Sequence, residues 1–244
     1  MPKKSKPPAT LVQTNNSPNQ KPGSTSNVRF PELSLKESLA CRVLLEDQIL
    51  LIDEFFSVEE CKLFTKFIDA LPLELTHPKK KGEADRVNYR FSVTSVPFAQ
   101  TLHSILLPHL PSFPYPTSVK PPASTGHDTR RLPHSCNSNI RMYKYTPSQH
   151  FGPHYDDSVR DSETGAKSEW TLLIYLSGIE DGVEGGETLF YQDERGKPRK
   201  VITAPLTRGT ALLHRHGHEC MLHEGSLVQS GTKYILRSDL MFMK

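Results

Sequence analysis

The sequence lacks long apolar runs, and its few cysteines are widely separated. No stretch is apolar over the length that a bilayer-spanning helix needs, so we expect no membrane segment. No apolar segment follows the lysines near the N-terminus, so we expect no secretory signal. The absence of any CxxC pair predicts neither a disulfide framework nor a zinc knuckle and is typical of a reducing compartment. The four cysteines are Cys41, Cys61, Cys136 and Cys220.

The chain also carries little net charge outside its first residues. Of its 244 residues, 30 are Lys or Arg and 27 are Asp or Glu, which gives a net charge of +3. Residues 1–29 hold five cations and no acid, which leaves −2 for residues 30–244, so the body has no electrostatic footprint for nucleic acid. Residues 1–27 are predicted to be a disordered basic tail. Its Lys3-Lys4-Ser5-Lys6 cluster has the composition of a nuclear address on an otherwise cytoplasmic protein.

Residues 28–138 are predicted to form a support region of helices, strands and a proline-rich loop. The run Gln48–Ile52 predicts a strand, and the capping box Ser57–Glu60 predicts the start of a helix. A second short helix is expected over residues 97–107, where apolar side chains recur at helical spacing. Closely spaced prolines then exclude regular structure, so residues 108–135 are predicted to be a long loop of the kind that covers substrates.

Residues 139–244 change to short runs of period two, separated by glycine-containing turns. Many short strands without alternating helices favour a jelly roll over a Rossmann-type sheet. The predicted fold class is therefore mainly β, with a small N-terminal helical layer. The predicted strands cover residues 139–145, 153–156, 170–177, 187–191, 199–203, 210–215, 219–223 and 233–242.

A first stretch with chemical character is Phe151-Gly-Pro-His154-Tyr-Asp156. Residues two apart on a strand leave the same face, so the imidazole of His154 and the carboxylate of Asp156 are expected to point together. One imidazole, one carboxylate and a distant second histidine make up the facial triad that holds non-haem Fe(II) and leaves three coordination positions open. His-x-Asp alone arises by chance, and a surface histidine beside an acidic loop is the alternative.

A second stretch carries four histidines in ten residues, from His214 to His223. His214 and His216 share a strand face and by themselves indicate a zinc or cupin-type metal site. Gly217 breaks that strand, however, so His223, at the end of the next short run, is the better candidate for the distant ligand. The alternative is that all four histidines lie in polar loops.

The C-terminal run 231–242 alternates so that Lys233, Arg237 and Asp239 share one face. Two cations on one face of a strand are costly if they are buried without a partner. A dicarboxylate bound inside a barrel would satisfy them. A solvent-exposed polar face, which is common in antiparallel sheets, is the alternative.

Taken in order, these stretches resemble the Fe(II)/2-oxoglutarate-dependent dioxygenases, specifically the prolyl 4-hydroxylase-like branch. The resemblance runs from about Asn139 to Phe242. Residues 139–244 are therefore predicted to be the dioxygenase core. It includes Gly185-Gly-Glu-Thr-Leu-Phe190, His223-Glu-Gly and Gly231-Thr-Lys-Tyr.

The resemblance implies a double-stranded β-helix in which His154, Asp156 and His223 hold Fe(2+). It implies 2-oxoglutarate and O2 as co-substrates, and L-ascorbate as a further cofactor. The distal carboxylate of 2-oxoglutarate is expected to meet Lys233, and Tyr145 and Tyr175 are its expected hydroxyl partners.

Arg237 departs from the best-known collagen-type members of this branch. The sequence leaves open which of Lys233 and Arg237 holds the co-substrate, and whether the other contacts the substrate.

The expected function is oxidative decarboxylation of 2-oxoglutarate coupled to hydroxylation of a substrate C–H, by analogy in a peptidyl, prolyl-type residue. One alternative is a nucleic-acid or small-molecule oxidative demethylase or hydroxylase of the same superfamily, which Asn139, Tyr143 and Arg237 faintly resemble. Another is a non-catalytic cupin-like binding module, although all three triad residues are present. The expected partner is a protein, peptide or small-molecule substrate, and neither a membrane nor a nucleic acid is expected.

Overall fold

The computed structural model describes residues 28–77, 79–119, 130–193, 196 and 198–243. The predicted basic tail with its candidate nuclear address, and the middle of the predicted proline-rich loop, lie outside the described residues. In the part that is described, no helix has both the length and the apolar character needed to cross a membrane.

Two helices form the predicted N-terminal helical layer: α1 (Val58–Asp69) and α2 (Val96–Leu106). The capping box of α1 is confirmed, because the Ser57 hydroxyl accepts from the Glu60 amide at 3.1 Å and the Glu60 carboxylate accepts from the Ser57 amide at 2.7 Å. One face of each helix is buried in an apolar core against the larger sheet.

Strand is the commonest regular structure in the described part of the chain. In chain order the strands begin with β1 (Cys41–Leu45), β2 (Ile49–Ile52), β3 (Glu74–Leu75), β4 (Arg86–Val87), β5 (Tyr89–Thr94), β6 (Phe113–Pro114), β7 (Arg130–Arg131), β8 (Ser135–Cys136) and β9 (Asn139–Tyr145). They continue with β10 (His150–His154), β11 (Lys167–Tyr175), β12 (Glu184–Gly185), β13 (Thr188–Gln192), β14 (Lys200–Ala204), β15 (Ala211–Arg215), β16 (Leu222–Gly225), β17 (Val228–Ser230) and β18 (Lys233–Phe242).

The strands pair in antiparallel fashion into two principal sheets. The larger sheet has the order β1-β2-β15-β11-β18-β9-β5-β3, with β8 also paired to β18, and the smaller has the order β14-β13-β16-β10-β4. A second apolar cluster lies between them and contains side chains from both, such as Leu212 of the larger sheet and Phe190 of the smaller. This double-sheet arrangement confirms the predicted mainly β jelly roll.

Two expectations about local structure are wrong. The predicted strand 153–156 is shifted, because β10 ends at His154 and Asp156 lies beyond it. The backbone of Asp156 bonds instead to the loop before β16, donating to Cys220 Sγ at 3.3 Å and accepting from the Gly217 amide at 2.7 Å.

The proline-rich segment is also more regular than predicted. A 3₁₀ turn covers Leu107–His109, and β6 pairs with β7 through Phe113–Arg131 and Pro114–Arg130. A proline is tolerated there because each strand of a two-stranded ribbon has a free edge on which no amide is needed.

Candidate metal and co-substrate site

The three side chains predicted as metal ligands lie together in the interior of the jelly roll. His154, at the end of β10, stands directly opposite His223 of the neighbouring strand β16. Their Nε2 atoms each lie 3.7 Å from a carboxylate oxygen of Asp156, His154 from Oδ1 and His223 from Oδ2. Asp156 reaches this position from the loop after β10. The expectation that the side chains of His154 and Asp156 point together is met, but they do not share a strand face.

The imidazoles of His154 and His223 both have the tautomer and the charge state that metal binding requires. The Nδ1 atom of His154 lies 2.9 Å from the Gly152 carbonyl, and that of His223 lies 2.9 Å from the Met221 carbonyl. Donation from Nδ1–H to a carbonyl fixes the tautomer and leaves the lone pair on Nε2, which faces Asp156. Burial lowers the pKa of His154 to about 3 and also lowers the pKa of His223, so both rings are neutral.

The carboxylate of Asp156 is held ionised and in one orientation. Thr171 Oγ1 donates to Oδ2 at 2.9 Å, while Arg237 donates from Nη1 to Oδ1 at 3.2 Å and lies with Nη2 3.0 Å from Oδ2. Burial alone raises the pKa of this carboxyl, but the Arg237 guanidinium brings the pKa well below its usual range.

This donor set fits ferrous iron. Two neutral imidazoles and one carboxylate are the facial arrangement that non-haem Fe(II) takes, with the remaining positions open. Donor atoms that share one ion at about 2.1 Å lie roughly 3.0–3.4 Å apart. The observed separations of 3.7 Å exceed this by a few tenths of an ångström, an adjustment that side-chain rotation can supply.

A cavity connects the candidate ligands to Lys233, and Tyr145 and Thr188 form part of its wall. Tyr175 stands behind Thr188, and the two hydroxyls lie 2.7 Å apart. The predicted hydroxyl partners therefore occupy the same region, Tyr145 at the cavity and Tyr175 through Thr188.

Lys233, the first residue of β18, is a buried cation at the inner end of this cavity. Its side chain is 2% exposed, its Nζ donates to the Gly186 carbonyl, and it lies 5.5 and 5.7 Å from the ring centroids of Tyr145 and Tyr175. No carboxylate among the described residues lies within ion-pair distance of it. Burial lowers the pKa of Lys233 to about 8, and Glu187 opposes this shift. The alternative of a solvent-exposed polar face on β18 is therefore wrong.

Arg237 is also buried, but its charge is compensated by protein groups. It contacts Asp156 as described, and its Nη2 lies 3.5 Å from Asp239 Oδ1. The resemblance favours Lys233 but leaves open which of the two cations holds the co-substrate. The structure separates them: Arg237 contacts two carboxylates, whereas Lys233 has none within ion-pair distance among the described residues.

The glycine pair at Gly185-Gly186 makes room for the lysine. Both residues have positive φ, 71° and 74°. A Cβ on Gly185 would lie 2.2 Å from the Leu227 carbonyl oxygen, and one on Gly186 would lie 3.3 Å from Lys233 Cδ. The Gly-Gly-Glu-Thr element is thus needed where the chain passes close to β17 and to the Lys233 side chain.

The histidine cluster is only partly explained by the sequence. His214, ranked below His223 there, lies at the same centre with Nε2 3.6 Å from Asp156 Oδ2. His216 is buried elsewhere and bonds through both ring nitrogens, to Thr171 and Ser168, each at 2.9 Å, and His218 is exposed. Placing all four histidines in polar loops is therefore wrong.

Comparison with known proteins agrees with this geometry. Residues 140–238 match the model of the 2OG-Fe(II) oxygenase superfamily. No curated protein matches the sequence significantly. Residues 140–238 thus form a 2OG-Fe(II) oxygenase domain, which confirms the resemblance seen in the sequence. The match supports a 2-oxoglutarate-dependent dioxygenase, for which Fe(2+), 2-oxoglutarate and O2 are the cofactor and co-substrates.

Solved structures share the fold at low sequence identity. A prolyl hydroxylase from Trichoplax adhaerens in complex with a hypoxia inducible factor peptide is 12% identical, with 80% of this chain and 84% of that chain covered and a TM-score of 0.53. A Pseudomonas putida prolyl-4-hydroxylase is 11% identical, with 81% and 94% covered and a TM-score of 0.50. The viral collagen prolyl hydroxylase of Paramecium Bursaria Chlorella virus-1, in complex with 2OG, is 20% identical, with 83% and 100% covered and a TM-score of 0.49.

Proposed function

We propose that this enzyme hydroxylates a C–H bond of a peptidyl substrate, with a proline-type residue as the first candidate. His154, Asp156 and His223 hold the iron in this proposal, and Lys233 holds the distal carboxylate of 2-oxoglutarate. When bound, iron with 2-oxoglutarate and O2 supplies the oxidation: one oxygen atom enters succinate, formed with CO2, and the other enters the substrate as a hydroxyl group.

The observation that carries the proposal is a buried lysine, without an ion-pair partner among the described residues, that lines the same cavity as His154, Asp156 and His223. A charged group in a protein interior requires a partner, and a dicarboxylate chelated at the metal brings its second carboxylate to the opposite end of such a cavity. The neighbouring Tyr145 and Thr188 provide further polar contacts.

The protein's own residues prepare this chemistry in three ways. The backbone carbonyls of Gly152 and Met221 fix the imidazole tautomers, so no proton has to leave before metal binds. Arg237 and Thr171 orient the carboxylate of Asp156. The burial of Lys233 keeps its ammonium out of bulk water and strengthens its attraction for an anion.

A peptidyl substrate is proposed because a relative of the same fold, the Trichoplax adhaerens enzyme, is a prolyl hydroxylase whose structure contains a bound peptide. The body of this chain has a small negative net charge, which does not favour nucleic acid as substrate.

The test is to incubate the purified full-length chain with Fe(II), 2-oxoglutarate, O2 and a library of proline-containing peptides. Succinate release should rise with particular peptides, whose mass should increase by one oxygen atom, and Asp156→Ala should abolish both signals. Stimulation of succinate release by oligonucleotides or small metabolites, with no peptide response, would refute the peptidyl substrate while leaving the oxygenase chemistry intact.

A further inference from the structure

Three histidines, and not two, surround the carboxylate of Asp156. His214 of β15 places Nε2 3.6 Å from Oδ2, and the two candidate iron ligands lie at 3.7 Å from the same carboxylate. The ring of His214 lies 4.5 Å from the ring of His223, centroid to centroid, and borders the same cavity. His214 therefore approaches the carboxylate of Asp156 as closely as the two imidazoles that the sequence pattern selects.

His214 also shares the orientation of those ligands. Its Nδ1 lies 3.3 Å from the Arg215 carbonyl, which places the lone pair on Nε2, as in His154 and His223. Nε2 of His214 is fully buried and has no hydrogen-bond partner among the residues that the structure describes. Leaving a buried polar atom unsatisfied costs about 1–3 kcal/mol. Because Nε2 of His214 borders the candidate metal site, its lone pair indicates that it binds a ligand there.

Burial alone does not explain the unsatisfied nitrogen. His216, two residues along the chain, is also buried, yet both of its ring nitrogens have hydroxyl partners at 2.9 Å. Both ring nitrogens of His216 are thus satisfied by protein hydroxyls, whereas Nε2 of His214, which faces the metal centre, has no partner among the described residues.

We propose that His214 is a fourth protein ligand of the metal centre, bound through Nε2 while 2-oxoglutarate is absent and displaced when 2-oxoglutarate binds. This rests on the proposed ligands His154, Asp156 and His223. The displacement follows from coordination numbers: four protein ligands and a bidentate co-substrate fill six positions and leave none for O2. A three-histidine, one-carboxylate resting centre thus protects the metal until the co-substrate arrives.

Cys220 offers a competing arrangement that the geometry disfavours. With His214 and His223 it forms a second group of donor atoms within 4.8 Å of one another. Its Sγ, however, lies 3.8 Å from Nδ1 of His223, the nitrogen that already contacts the Met221 carbonyl. A metal bound by Cys220 would therefore lie on the opposite side of that ring from Asp156.

The first experiment is anaerobic titration of the metal-free, full-length protein with Co(II), without 2-oxoglutarate. Compared with wild type, His214→Phe should bind Co(II) at least about tenfold more weakly, since loss of even an outer partner of a metal site costs 10- to 100-fold. The exposed His218 provides the matched control, and His218→Ala should bind like wild type. Saturating 2-oxoglutarate should remove most of the difference between wild type and His214→Phe.

Two outcomes of this titration overturn the proposal. One is equal Co(II) affinity of His214→Phe and wild type. The other is a thiolate-to-cobalt charge-transfer band that Cys220→Ser removes, because it would place the metal on the opposite side of His223.

A second measurement does not depend on whether the variant folds. Pulsed electron paramagnetic resonance of wild-type protein loaded with Cu(II) counts the bound imidazoles, and we expect three without 2-oxoglutarate and two with it. A count of two in both states overturns this inference, even if succinate formation is normal. A count of three in a protein that never forms succinate would instead retain this inference and overturn the proposed function.

Discussion

At the scale of single residues, the different roles proposed for Lys233 and Arg237 follow from the groups that each side chain contacts. Lys233 and Arg237 lie four residues apart on β18, which separates their side chains by roughly 13 Å along the strand. They cannot hold the same carboxylate. Arg237 already faces Asp156 and Asp239, and Lys233 faces the cavity.

Replacing Lys233 by Ala should therefore weaken 2-oxoglutarate binding far more than metal binding. A charge-assisted hydrogen bond is worth about 1.5–3 kcal/mol, so we expect the dissociation constant to rise by about 10- to 150-fold. Calorimetry on the metal-loaded, oxygen-free protein measures this, and the exposed Lys200 gives the control variant Lys200→Ala. An unchanged constant in Lys233→Ala would assign the co-substrate to another residue.

The binding of 2-oxoglutarate should also depend on the charge of Lys233. Burial lowers the pKa of this lysine from 10.5 to about 8 in the free protein, with Glu187 opposing the shift, and an anionic partner raises it again. The cation is present below pH 8, so the dissociation constant should be flat there and rise up to tenfold per pH unit above it. Lys233→Arg, which stays charged, should remove this rise; a profile unaffected by that change would point to a different titrating group.

Arg237→Ala should act on the metal centre and on stability. It leaves Asp156 and Asp239 as buried carboxylates without their shared guanidinium, a loss of about 3–5 kcal/mol. A bound divalent ion compensates Asp156 in its place, so Zn(II) should raise the melting temperature of this variant more than that of wild type. Equal shifts in calorimetric scans would show that Arg237 does not support Asp156.

At the scale of elements, the sequence predicts those whose boundaries depend on local pattern. The strands β9 and β18 begin and end where their alternation does, and α1 begins at its capping box. Elements that depend on distant contacts are mispredicted. Asp156 lies off the strand because the loop at Gly217 and Cys220 binds its backbone, and nothing near Asp156 in the sequence encodes that contact.

The start of α1 also anchors the segment that precedes β1. The buried carboxylate of Glu60 accepts from the Ser34 amide at 2.8 Å, the Ser57 amide at 2.7 Å and the Lys36 ammonium at 2.5 Å. Both members of the Lys36–Glu60 pair are less than a tenth exposed. The sequence finds the capping box, but the ion pair that joins two distant segments appears only in the structure.

Ser57→Ala should reduce the free energy of unfolding by about 1 kcal/mol, because it removes only the cap. Glu60→Ala should cost about 3 kcal/mol or more, because it also leaves Lys36 buried without a partner. Urea denaturation measures both, and Glu59→Ala, at an exposed position in the same helical turn, is the control. A Glu60→Ala variant as stable as Glu59→Ala would contradict this reading of the segment.

At the scale of the whole molecule, the jelly roll brings together groups that are far apart in the sequence. The larger sheet supplies Lys233, Arg237, Thr171 and His214, and the smaller sheet supplies His154 and His223. Motif spacing predicts His154, Asp156, His223 and Lys233 as site residues because the order of short strands in this fold is regular. His214 does not belong to that spacing, and only the packing of β15 across from β16 places it at the centre.

In the proposed function, one buried site joins the metal ligands and Lys233 in 2-oxoglutarate turnover. The most direct test is succinate formation by the purified full-length chain with Fe(II), 2-oxoglutarate and O2. We predict iron-dependent succinate from wild type and none from Asp156→Ala. Lys233→Ala should form succinate only at raised 2-oxoglutarate. Two results would contradict the proposed function. One is succinate formation by Asp156→Ala at the wild-type rate, and the other is no succinate from wild-type protein that has bound both iron and 2-oxoglutarate.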